Sequence, residues 1–239
     1  MNFSLFIPNL INIWQEYWQL FLFTGLKNTL ILTCISVALG TVFGSLVAMM
    51  KMSKSRIVRF LVTLYVEVIR GTPILLQLYI FYFVLPNVLT FLKLSQFMWV
   101  SIALCVNSAA YVSEVIRSGI QAVDKGQTEA ARSLGLSEKQ TMMKIVLPQA
   151  IRNILPALGN EFIMMLKETS LASTFFLGDV MTSYAIVRGA TYLTLEPLTI
   201  VAMIYLFITY PLSKIVERFE KKMAKPNSYR KHKKLTKAN

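Results

Sequence analysis

Polar and ionisable side chains inside long apolar runs are where this sequence can do chemistry, because each must find a partner or a wet cavity once it leaves water. Asn107 and Ser108 lie in the middle of one such run and Glu161 in another. Glu161 has no Lys or Arg within four residues, which leaves its carboxylate free to meet a substrate ammonium or guanidinium group. Asn107, Tyr111, Glu114 and Ser118 follow at i, i+4, i+7 and i+11, one polar stripe on a helix. Facing lipid, that stripe would be expensive, so it lines either a translocation path or a buried helix contact. Glu67 and Arg70 stand i, i+3, close enough to pair, before Gly71 and Pro73 break or kink the helix. Glu161, Met164, Met165, Glu168 and Ala172 share one helical face, and the adjacent Lys167 and Glu168 read as an ion pair satisfied through neighbouring helices. Catalytic chemistry is poorly represented. The single histidine, His232, sits in a basic tail, while Cys34 and Cys105 lie in apolar runs as packing residues, so neither a metal site nor a disulfide framework can be read.

The elements that position these residues follow from composition. Of the 239 residues 55% are hydrophobic and only 15% charged, with mean hydropathy +0.54. A soluble core of this size cannot hide so much apolar surface, and the runs are long enough to cross a bilayer of about 30 Å. The fold class is therefore an all-α polytopic membrane protein of about five transmembrane helices, near 18–50, 58–86, 97–119, 154–178 and 196–214. The net charge of +13 is unevenly placed, with +8 of it from Lys214 onward. Only Glu16 precedes the first run, whereas Lys51, Lys54, Arg56 and Arg59 follow it. By the positive-inside rule the N-terminus lies outside, uncleaved, and the C-terminus inside. Residues 121–153 and the basic tail 215–239 then become cytoplasmic, and the tail's Lys231, Lys233 and Lys234 rest on anionic lipid. The first run reaches about 50 Å as a helix, so it should tilt, kink or project. Within it, Gly40, Gly44 and Ala48 form a small-residue stripe that lets another helix approach closely.

The segment 121–153 predicts two short helices. Gln127 to Leu134 lacks a breaker, and Gly135 sits where a left-handed cap would end it. Ser137-Glu138-Lys139-Gln140 has the form of a capping box opening a second helix that Pro148 bounds. Ala130 and Ala131 give the first helix a flat face, and Leu134, Leu136, Met142, Met143 and Ile145 offer apolar contacts suited to a groove on another protein.

Glu129-Ala130-Ala131, Gly135 and the later Leu147-Pro148 resemble, in residue and spacing, the EAA loop by which permeases of ATP-binding cassette importers engage their ATPase subunits. Glu67 to Pro73, Asn107 to Tyr111 and Leu166 to Leu171 are similar to the polar amino acid branch of that family, and the resemblance covers roughly residues 20–220. It implies a single permease domain over 1–239 in a bacterial plasma membrane. It also implies two ATPase subunits, an extracytoplasmic amino acid binding protein, and a second permease subunit, identical or related. On that resemblance Glu129, Ala130, Ala131, Gly135, Leu147 and Pro148 couple to the ATPase. Asn107 and Ser108 would donate to a substrate carboxylate, and Glu161 would accept from a cation. An acid at that depth favours arginine, lysine or histidine, and equally fits the α-ammonium of any amino acid. The chain has no G-x-x-x-x-G-K-[ST] segment, so ATP and Mg²⁺ belong to the partner, this chain holds no cofactor and is not an enzyme, and nucleic acid has no place. A small gradient-driven secondary transporter or channel is the alternative, but no repeat relates the two halves. A membrane-embedded enzyme lacks a nucleophile or metal motif.

Overall fold

The computed structural model describes residues 3–224, and every regular element among them is helical. The basic tail from 225 onward, with His232, Lys231, Lys233 and Lys234, lies outside the described residues. Three helices are long and apolar enough to cross a membrane, or up to five spans if each of two bent pairs counts as one.

Helix α1 (Phe6–Gln19) passes through a π-helical stretch, Leu20–Leu26, into α2 (Lys27–Lys51). The resulting helix of 46 residues is about 70 Å long at ~1.5 Å per residue, well over the ~30 Å of a bilayer core, and it begins well before residue 18. The π stretch leaves the Leu20 carbonyl to accept from Ser183 Oγ at 3.2 Å. Gly25 admits that contact, since a Cβ there would lie 2.7 Å from Ser183 Oγ.

The second apolar run is broken. Helix α3 (Arg56–Gly71), capped by Ser55, and the segment α4 (Ile74–Tyr79) continuing through Ile80–Val84 to α5 (Leu85–Val88) meet at 106°. Pro73 supplies no N–H and forces Thr72 into an extended conformation, φ −117° and ψ 145°, so the helix cannot run through. Helix α6 (Gln96–Gln121) is the central element, with Val100, Leu104, Ser108, Ala110 and Val112 wholly buried. Gly40 and Gly44 of α2 face it, against Ser108, Ala109 and Val112, and Ala48 on the same helical face is fully buried.

Helix α7 (Lys125–Ser133) and α8 (Glu138–Thr141) follow. Pro148 does not bound the second of these, contrary to expectation. A π turn at Met142–Val146 carries α8 directly into α9 (Leu147–Glu168), and Pro148 sits in the first turn of α9, where a missing N–H is tolerated. A 3₁₀ stretch, Thr169–Phe175, precedes a second bend, of 44°, in which Phe176 and Gly178 are left-handed. Helix α10 (Val180–Thr191) occupies what the sequence predicts as a loop. Its buried face of Val180, Thr182, Ser183 and Val187 packs on the π stretch and on α11 (Leu195–Ala224). Asp179, a loop charge by sequence, is a fully buried cap that accepts from Met181 N at 2.9 Å and from Thr182 Oγ1.

Two expected ion pairs are absent. Arg70 turns away from Glu67 to Glu114, at 3.8 Å, and lies 5.4 Å over the Tyr111 ring, because the break after Gly71 swings the end of α3 against α6. Lys51 and Arg117 complete the set around Glu114, whose side chain is 12% exposed. Lys167 is exposed and Glu168 half-buried, and neither forms an ion pair among the described residues.

Candidate functional site

Two buried polar contacts meet at adjacent residues of α6. Ser108, wholly buried, donates through Oγ to Glu161 Oε1 of α9 at 3.2 Å, and Glu161 is only 4% exposed. The close approach of α2 at Gly40 closes this contact from the other side, because a Cβ at Gly40 would stand 2.7 Å from Ser108 Oγ. Among the described residues no Lys or Arg pairs with Glu161, as its sequence surroundings predict.

Asn107, next along the helix, points elsewhere. Its Nδ2 donates to Gln77 Oε1 at 2.9 Å, while Gln77 Nε2 donates to the carbonyls of Ile69 at 2.7 Å and Thr72 at 3.1 Å. Gln77 thus satisfies the backbone groups that the α3–α4 break orphans, and Asn107 holds Gln77 in place. The structure therefore joins Ser108 to Glu161 and separates Asn107 from both; a ligand carboxylate drawing on Ser108 must displace Glu161, whereas Asn107 spends one of its two amide N–H donors on Gln77. Of the polar stripe, Asn107 and Tyr111 contact the α3–α4 break, Glu114 gathers cations, and Ser118 bonds back to the carbonyl of Glu114 at 2.7 Å. Of the four, Asn107 is a buried helix contact, Tyr111 and Glu114 are half-buried and Ser118 is exposed. Gln77 escaped the sequence reading, although an amide alone in the apolar run after Pro73 was the available signal.

Replacing Gln77 with Leu takes this partner from the carbonyls of the half-buried Ile69 and Thr72 and from the buried Asn107 amide, at up to roughly 1–3 kcal/mol for each group that water does not reach. Thermal unfolding of the purified protein should show a clearly lowered Tm for Gln77→Leu; an unchanged Tm would remove Gln77 from this role.

Both caps expected in the segment 121–153 form, although Pro148 does not bound its second helix. Leu136 N donates to Ala131 O at 3.1 Å and Gly135 N to Arg132 O at 3.0 Å, with Gly135 at φ +84°, which together form a Schellman cap. The capping box is complete: Gln140 N donates to Ser137 Oγ at 3.2 Å, and Ser137 N to Gln140 Oε1 at 2.9 Å. Ala131 is buried, whereas Glu129, Ala130 and Pro148 are exposed and Leu147 half-buried. Leu134 is 82% and Met143 56% exposed, apolar side chains left largely uncovered by the described residues.

Residues 40–225 match the family described as binding-protein-dependent transport system inner membrane component. The arginine transport system permease protein ArtQ of Bacillus subtilis is 42% identical, over 85% of this chain and 92% of its own length. The putative glutamine transport system permease protein GlnP of Rickettsia bellii is also 42% identical, over 85% and 93%. A solved amino acid ABC transporter with histidines superposes with a TM-score of 0.82 at 43% identity, covering 87% of this chain and 95% of that one. Family match, relatives and architecture agree, and the chain belongs to the binding-protein-dependent transport system inner membrane components.

Proposed function

We propose that this chain is the permease subunit of an ATP-driven amino acid importer, taking a polar, and in particular a cationic, amino acid from an extracytoplasmic binding protein. Relatives named for arginine and glutamine transport support the substrate class. The carrying observation is the segment 121–153, in which a Schellman cap at Gly135 and a capping box at Ser137 fix α7 against α8 and leave Glu129, Ala130 and Leu134 facing outward. In this reading that surface docks into a cleft of the ATPase, with Leu147 and Pro148 passing its movement to α9. ATP and Mg²⁺ then stay on the partner, a second permease subunit completes the pore, and the protein sits in a bacterial plasma membrane. The basic residues after α2 and in 121–153 support a cytoplasmic placement of the segment and an outside N-terminus. At the other end of the path, the buried Ser108–Glu161 pair supplies a carboxylate with no cation paired to it among the described residues, and this reading gives it the substrate's positive group.

Gly135→Val tests the docking. A Cβ at Gly135 meets nothing within 4 Å, so any effect comes from its left-handed backbone alone, worth about 1–2 kcal/mol for an L residue and more for a β-branched one. Reconstituted with ATPase and binding protein, Gly135→Val should hydrolyse ATP without proportionate uptake, and Gly135→Asn, which tolerates this conformation, should recover most of it. Normal coupling in Gly135→Val would place the docking elsewhere.

A further inference from the structure

A cavity of about 560 Å³ lies behind α7, against the inner end of α6 and the start of the α8–α9 helix. Its size suits a small ligand, and its lining has the required division: Val123 and Val146 form an apolar floor, and Lys125, Arg132 and Glu138 reach its rim. Thr141, 2% exposed, also lines it, and its buried Oγ1 has no hydrogen-bond partner among the described residues. Lys125 and Arg132 lie on one flank of α7, seven residues apart with Glu129 between them, whereas Ala130 and Leu134 lie on the opposite flank, so the cavity meets the surface assigned to the ATPase at Glu129 and leaves Ala130 and Leu134 clear of it. The rim charges are available: Arg132 spends only Nη1, on Leu136 O at 2.7 Å, and Glu138 touches Lys54 at 4.0 Å with both side chains more than four-fifths exposed.

Two cations, one carboxylate and an apolar floor match a zwitterion carrying a carbon side chain better than a simple anion. We propose that this cavity binds a free amino acid, with its carboxylate at Lys125 and Arg132, its ammonium at Glu138 and its side chain over Val123 and Val146. The site rests on the reading of 121–153 as the cytoplasmic coupling segment, which exposes the cavity to the pool of delivered product. An occupant braces α7 against α6 and α8, so the product's own concentration acts on the segment that transmits ATP hydrolysis.

The test is local and needs no ATPase, so its failure is distinguishable from failure of the docking reading. Met142, which lines the cavity and is 37% exposed, is replaced by cysteine in a protein whose Cys34 and Cys105 are changed to Ala, and its maleimide labelling rate is followed in nanodiscs. At ~10 mM, saturating for a site of millimolar affinity, L-arginine or L-glutamine should slow labelling about fivefold. Agmatine, lacking the carboxylate, and acetate, lacking the ammonium, should not. Combining Lys125→Gln with Arg132→Gln should erase the protection, and Glu161→Gln should preserve it. Thr128→Cys, at an exposed lining position, provides the same measurement if Met142→Cys folds poorly. No protection by either amino acid, equal protection by agmatine, or protection that survives the double charge removal or vanishes in Glu161→Gln would each overturn the proposal.

Discussion

Gly44→Val should leave little correctly folded protein. A Cβ at Gly44 would stand 2.8 Å from the carbonyl oxygen of Ala109 and 2.8 Å from Val112 Cβ. The first of these is backbone inside a helix and cannot move aside, so α2 and α6 must separate. Forcing methyl groups into a close-packed contact costs typically 1–3 kcal/mol, and more where backbone is struck. Separation would also pull Gly40 from Ser108 and Lys51 from Glu114, coupling this packing seam to both polar contacts. Gly189→Val is the control, since a Cβ there meets nothing within 4 Å. Monodisperse yield and Tm should collapse for Gly44→Val and change little for Gly189→Val. Equal behaviour of the two would show that the α2–α6 contact is not tight.

Glu161→Gln should have the largest effect on transport at the least cost to the fold. Glutamine keeps a carbonyl oxygen where Ser108 donates, at 3.2 Å in the native protein, so the α6–α9 contact survives. What disappears is the negative charge. A buried hydrogen bond to a charged group contributes roughly 1.5–3 kcal/mol, equivalent to about 10- to 100-fold in uptake if it forms only with substrate. Uptake of arginine, lysine and histidine should fall by that factor while neutral amino acids are spared. Loss of all uptake with intact assembly would instead assign Glu161 to the α-ammonium group, and unchanged uptake would take it out of the path.

What could be read from the sequence was local or compositional. The left-handed Gly135 and the Ser137–Gln140 box are decided within a few residues, and both form as expected. The Gly40–Gly44–Ala48 stripe was legible because only small residues permit such an approach, although its partner on α6 was not. Arg70 chose Glu114 over Glu67 because its direction depends on a 106° bend, and a bend angle is set by tertiary contacts that i, i+3 spacing does not contain. Helix α10 was hidden by its shortness and mixed polarity; its buried face is made by the π stretch and α11, distant in sequence. Pro148 misled because a π turn before it absorbs the discontinuity that proline normally imposes. For the site, Ser108 and Glu161 were recognisable as buried polar groups and do meet, whereas Asn107 was committed to Gln77, a partner that only the broken helix brings into range.

The most direct test of an ATP-driven permease is uptake of labelled arginine into proteoliposomes containing this chain, its ATPase and its binding protein, measured with and without internal ATP and with proton and sodium gradients collapsed. The account predicts uptake that requires ATP and the ATPase and is unchanged when both gradients are removed. Uptake by this chain alone, driven by either gradient without ATP, would contradict it.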